Sequence, residues 1–269
     1  MRKTSMFLSM TLAALMITGS LYSETYYTLR AGGGIAGGGD KIMGRDYDYV
    51  SSDGGDGPAI AVSLSASLLN VRSAKNSLFF GAQITANMSE IPVSSDSEAP
   101  VSGSYDVYWT QNELDAKYLY SISRTVGVFV GPRLVMNLSY GEYPLTNTES
   151  EYSDDFFYRD NLAGITAGLN LRKHLFGTSF IVSTIGYGAL IGVNSTTYKN
   201  ETVDGDQTNM MNSLSLGYAY YSVDSKTMFD VSVVAVFYLR GTPIMTSFDD
   251  EIEAGRITLM VGVTRPFKN

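Results

Sequence analysis

The chain has 269 residues, 44% hydrophobic and only 17% charged, with 27 glycines, 19 tyrosines, no cysteine and a formal net charge of −8. Without cysteine there is no disulfide, no thiolate nucleophile, no cysteine-based zinc site and no anchor for N-terminal lipidation. The acidic balance excludes the basic patch that a nucleic-acid partner requires, and the length suits a single all-β domain, since such domains run undivided to about 200–250 residues.

Arg2 and Lys3 precede an apolar run, Met6 to Ile17, followed by small residues at Thr18, Gly19, Ser20 and Ser23. Positive, then apolar, then small is the order of a secretory signal peptide. The run falls short of the about 20 apolar residues that a spanning helix needs. Residues 1–23 therefore read as a signal peptide cleaved after Ser23, with Ser20 as the alternative, and residues 24–269 as one domain outside the cytoplasm. No later segment reaches helix-spanning length or sustains helical periodicity, so a membrane-bound mature chain must cross as a closed barrel.

The opening strand runs from Thr25 to about Gly37, with Tyr27, Leu29, Ala31, Gly33 and Ile35 on one face. A polar stretch, Gly38–Gly57, leads to a hairpin at Pro58–Glu90. There Ile60, Val62, Leu64, Ala66 and Leu68 alternate with Ala61, Ser63, Ser65 and Ser67. After a short turn at Arg72–Asn76, Leu78, Phe80, Ala82, Ile84 and Ala86 alternate with Phe79, Gly81, Gln83, Thr85 and Asn87. Period-two alternation marks strands with one apolar face. A solvated second face would carry charges at roughly a quarter to a third of its positions; this one carries Ser, Gly, Gln, Thr and Asn. The pattern is that of a strand with its apolar side to lipid and its polar side to a narrow lumen.

A polar stretch at Ser89–Ser104 precedes the fourth strand, Tyr105–Ser121, which places Leu114, Ala116, Tyr118 and Tyr120 outward and Glu113, Asp115 and Lys117 inward. Its upper part changes phase at Val107 and Trp109, which predicts a bulge or a strand rising beyond the lipid. In the fifth strand, Val126 to Tyr140, Pro132 donates no hydrogen bond and predicts a bulge or local distortion. The sixth follows the polar stretch Gly141–Phe157, and the link Arg172–Gly177 leads to the seventh. Strands eight and nine flank Ser222–Thr227, between the long stretches Asn194–Thr208 and Gly241–Glu251. Strand ten presents Ile257, Leu259, Val261 and Val263, then Phe267.

Short and long connections alternate strictly through this series. Aromatics gather near the short turns (Tyr26, Phe79, Tyr118, Phe180, Tyr220) and near the long loops (Tyr108, Trp109, Tyr140, Phe157, Tyr238), which reads as two girdles. On this pattern, over Tyr26–Phe267, the sequence resembles the small single-chain members of the bacterial outer-membrane β-barrel superfamily. The resemblance implies an all-β, antiparallel up-and-down transmembrane barrel of ten strands, with eight and twelve as neighbouring counts, short periplasmic turns and long extracellular loops. It also implies residence in the bacterial outer membrane after export, with outer-membrane lipid and the assembly machinery as partners. A secreted β-sandwich or lipocalin-like barrel also alternates, but scarce charge on both strand faces weighs against it.

Gly32–Gly37 matches GxGxxG but opens no helix, so a close-packed strand end is the stronger reading than a dinucleotide site. The superfamily includes a protease using Asp and His and lipid-modifying enzymes using Ser and His. The only histidine, His174, falls at a short link among Arg172 and Lys173, whereas a barrel protease needs one near the outer rim. The chain is thus read as no enzyme, with no cofactor and no metal; the acidic loops, such as Asp46, Asp48, Glu149, Asp154, Asp204, Asp206 and Asp249, lack calcium-loop spacing and read as a solvated rim. Inside the barrel the informative residues are Glu113, Asp115, Lys117, Arg133, Asp230 and Arg240. Folding about Ser123 puts Arg133 opposite Glu113 or Asp115, and the cost of unpaired charge in a narrow lumen predicts a paired network. Two functions follow: a non-enzymatic surface barrel displaying acidic loops, its extracellular ligand unspecified, or a narrow passive channel, favoured by small lumen residues such as Ser63, Ser65, Gly164, Gly168, Gly186 and Gly188.

Overall fold

The computed structural model describes residues 24–38, 59–94, 102–142, 156–198, 201–240 and 252–267. The proposed signal peptide and most of the loop carboxylates lie outside the described residues. Among the described residues there are ten strands: β1 (Glu24–Gly38), β2 (Ala59–Val71), β3 (Asn76–Ser94), β4 (Ser102–Ser121), β5 (Val126–Glu142), β6 (Phe156–His174), β7 (Ser179–Tyr198), β8 (Glu201–Ser222), β9 (Thr227–Arg240) and β10 (Ile252–Pro266). Each pairs antiparallel with its sequence neighbour, and β10 returns to β1 to close the barrel. At the seam the Phe267 amide donates to the Thr25 carbonyl at 2.6 Å. Gly32–Gly37 lies within β1, where a side chain at Gly34 would strike the Ile257 carbonyl on β10.

Pairing sets every apolar side chain of one parity outward. Leu64 faces Ile84 across β2–β3, while their neighbours Ser63 and Thr85 hydrogen-bond at 2.8 Å inside the barrel. The outer wall is a belt of exposed aliphatics, with Ile60 82% and Ile191 66% accessible. An apolar belt of this extent is what a bilayer solvates. Among the described residues no helix is long and apolar enough to cross a membrane, so the strands carry that surface.

The short turns are built by local chemistry. Ser73 Oγ accepts the Asn76 amide at 3.1 Å, and Ser123 Oγ accepts the Val126 amide at 3.0 Å, so both tight turns are closed by a serine at the same position. The next two are helped by left-handed residues, Gly177 at φ 55° and Lys226 at φ 51°.

Three expectations need correction, and one is met. Trp109 begins no bulge: β3–β4 keeps one register from Asn76↔Tyr120 to Ser94↔Ser102, and Trp109 continues the inward phase of Gln111 and Glu113, packed with Ala36 and Ala61. The distortion expected at Pro132 is present without a bulge: between Asp115↔Arg133 and Tyr118↔Val130 the β4–β5 ladder skips two pairs and keeps its register, as a missing donor requires. Among the described residues the one irregularity in register lies in β9–β10, between Ile252 and Ala254. Two of the five long connections are largely ladder, because β3 and β4 pair out to Ser94↔Ser102 and β7 and β8 to Tyr198↔Glu201, which places Asp204 and Asp206 in β8.

The third correction concerns the girdles. Tyr108, Tyr118, Tyr140, Phe157 and Tyr220 do face outward. Trp109 and Tyr238 are instead buried inside, and Phe79 lines the lumen. Parity decides this: each stands one residue out of step with its strand's apolar face.

Candidate functional site: a charged plug across the lumen

The lumen holds a layer of side chains drawn from strands far apart in sequence. Glu113 on β4 is its centre, with its side chain 3% accessible. Arg133, from the adjacent β5, brings Nη2 to 2.6 Å from Glu113 Oε2. From the far wall, Arg256 on β10 forms a fork onto the same carboxylate, with Nη2 2.7 Å from Oε2 and Nη1 on Oε1. Tyr238 on β9 donates its hydroxyl to Oε1 at 2.7 Å and accepts from Arg133 Nη2 at 3.2 Å. Two guanidiniums and a phenol thus saturate one carboxylate in a volume closed to solvent, where paired charges must be hydrogen-bonded to be tolerated.

The network continues both ways along the barrel axis. Arg256 Nη1 also donates to Gln111 Oε1. Gln111 donates to Asn137 Oδ1 at 3.0 Å, and Asn137 to Asp160 Oδ2 at 3.4 Å. On the side of the short turns, Arg133 Nη1 reaches Asp115 at 3.4 Å and Lys117 Nζ lies 3.3 Å from the same carboxylate. Apolar side chains seal the gaps: Val135, Leu162, Leu190, Met211 and Val236 form a cluster with Tyr238.

Of the six charged residues anticipated inside the barrel, the structure brings Glu113, Asp115, Lys117 and Arg133 together. Asp230 does not join them. It pairs with Arg30 of β1 at 2.7 Å, nearer the short turns, and the pair arches over Gly262 of β10, where a Cβ would come within 2.6 Å of both partners. Arg240 ends β9 opposite Asn209, and its side chain lies outside the described residues. Sequence reasoning missed Arg256, Tyr238, Gln111 and Arg30. Arg256, Tyr238 and Arg30 were legible as inward-facing, since each alternates with an outward apolar neighbour such as Ile257 or Leu29, whereas Gln111 stands between Thr110 and Asn112 and shows its phase only through Glu113; their meeting was not legible.

The small lumen residues leave less room than their size suggests. A Cβ at Gly168 would lie 2.5 Å from the Phe129 ring, and one at Gly186 would lie 3.2 Å from it. These glycines are the floor on which a phenyl ring from β5 rests. His174 closes β6, with Nε2 2.7 Å from the Gly177 carbonyl and its ring edge-on to Phe180, at the short-turn end. Among the described residues no three His, Asp or Glu side chains converge as metal ligands would.

A closed antiparallel barrel, apolar outside and polar within, has the architecture of the outer-membrane β-barrels. No family model matches the chain, and no curated protein matches it in sequence. Solved structures do. The outer-membrane protease OmpT from Escherichia coli superposes with a TM-score of 0.53 at 8% identity, over 92% of this chain and 98% of that one. The translocator domain of the autotransporter NalP from Neisseria meningitidis gives a TM-score of 0.49 at 8% identity, over 98% and 96%. A major outer-membrane protein from Thermus thermophilus gives 0.39 at 12% identity, over 90% and 99%. The superposition on OmpT shows the fold alone: this chain has the closed antiparallel barrel of an outer-membrane protein.

Proposed function

We propose that this protein is an exported, non-enzymatic outer-membrane barrel whose lumen is a structural plug and whose working surface is its loop-bearing rim. The observation that carries this reading is the saturation of Glu113 by Arg133, Arg256 and Tyr238, all at most 5% accessible, across the middle of the barrel. A pore needs a continuous wet path, and such a layer stands across it. On this reading residues 1–23 direct export, the short turns face the periplasm, and the acidic loops meet the exterior. Outer-membrane lipid solvates the apolar belt.

The absence of an enzyme role is supported by the place of the only histidine. His174 sits at the end opposite the rim, hydrogen-bonded to a turn carbonyl. Liposome swelling tests the reading: vesicles carrying the refolded protein should swell in arabinose no faster than empty ones, and porin-like swelling would overturn it.

A further inference from the structure

Beneath the plug the lumen opens into a cavity of about 400 Å³, within the range of about 300–1,000 Å³ that small-molecule sites occupy. It reaches nearly to the short turns, since Leu69 near the end of β2 and Met228 near the start of β9 both line it. Its upper wall holds Lys117, whose ammonium lies between two rings, 5.5 Å from the centroid of Phe79 and 5.1 Å from that of Phe129.

The charge around this cavity does not balance. Of the charged side chains that line it, Arg30 and Lys117 are cations and Asp230 is the carboxylate, two against one. Asp230 is taken by Arg30 and Glu113 by the two deeper arginines, so Asp115 is shared between Arg133 and Lys117, at 3.4 and 3.3 Å. Lys117 thus has only a share of one carboxylate, and of its three N–H donors one is directed at Asp115. A desolvated ammonium backed by aromatic faces, at the head of a mostly apolar chamber, suits a ligand with one anionic end and a flat apolar body.

We propose that this cavity is a binding site for a small aromatic or amphiphilic carboxylate, held by Lys117 at its head and by Phe79 and Phe129 along its body. The site is reached from the short-turn end and does not depend on what the rim does.

The test is ¹⁹F NMR of 4-fluorobenzoate titrated into the full mature chain refolded in lipid nanodiscs, with 4-fluorobenzylamine as the charge-reversed probe. The expected result is saturable line broadening of the benzoate and none of the amine. Lys117→Met should weaken binding at least ten-fold and Lys117→Arg should retain it. Ser215→Phe, which fills the chamber from β8 without touching the lysine, should abolish it. Retention of heat-modifiable gel mobility reports that each variant is folded; should Lys117→Met not fold, Ser215→Phe decides. Absence of saturation in the wild type, equal binding of the amine, or a benzoate signal indifferent to Ser215→Phe would each overturn the proposal.

Discussion

Arg256 grips Glu113 across the whole width of the barrel, Nη2 to Oε2 at 2.7 Å, although 143 residues separate them in the chain. This bond joins the last strand to the fourth and makes the lumen a three-dimensional core rather than a lined tube. The energetics of such a core are those of a buried ion triad: costly to assemble, and more costly to break in part.

Glu113→Gln leaves Arg256 without its carboxylate and Arg133 with only its longer contact to Asp115, at 3.4 Å. It should destabilise the barrel by about 3–5 kcal/mol, read as a lower urea midpoint for unfolding from lipid vesicles. A companion variant with Glu113→Leu, Arg133→Met and Arg256→Met removes the whole triad and should recover most of that loss. Equal stability of Glu113→Gln and wild type would show that the carboxylate is not the hub.

Trp109 is the only tryptophan, and it lies inside, 4% accessible beside Ala36 and Ala61. Its emission should be blue-shifted yet insensitive to brominated lipids. Moving the indole one residue, as Tyr108→Trp with Trp109→Phe, turns it to the outer wall and should restore strong quenching. Quenching of the native tryptophan would place it in a girdle instead.

Gly186 packs under Ser213, where a Cβ would lie 2.5 Å from Oγ. Gly186→Ala should cost about 1–3 kcal/mol through overpacking, and adding Ser213→Ala should return much of it. The double-mutant cycle measures that coupling; strict additivity would contradict the close approach.

Arg30→Gln should leave Asp230 buried without its partner, while the Glu113 layer, which Arg30 does not touch, stays intact. The expected outcome is a stability loss on the order of 3 kcal/mol, with the vesicles still failing to swell. Swelling in this variant would show that the two charge sets form one seal.

How far the sequence carried the account depends on the distance over which a contact is specified. The alternation of Leu64 with Ser63, or Ile84 with Thr85, is local, and so the strands and their faces were legible. The meeting of Arg133 with the carboxylates of β4 was also legible, because one tight turn at Ser123 joins the two strands and sets their register. Arg256 and Tyr238 have the right parity, but which level of the lumen they reach depends on the stagger accumulated around ten strands. The same stagger drops Asp230 to the level of Arg30. Trp109 was misread because aromatic content suggested an interface and outweighed its inward phase. The long stretches at 89–104 and 194–208 were misread because Ser, Thr, Asp and Gly resemble loop composition, while continued pairing with a neighbouring strand leaves no strong periodic signal when neither face meets lipid.

Whether the barrel is closed by its own side chains can be read in single-channel recordings in a planar bilayer. The wild type should be silent under applied voltage, and a folded variant in which Arg133, Tyr238 and Arg256 are all replaced by serine should show discrete conductance. A steady unitary conductance from the wild-type protein would contradict that closure.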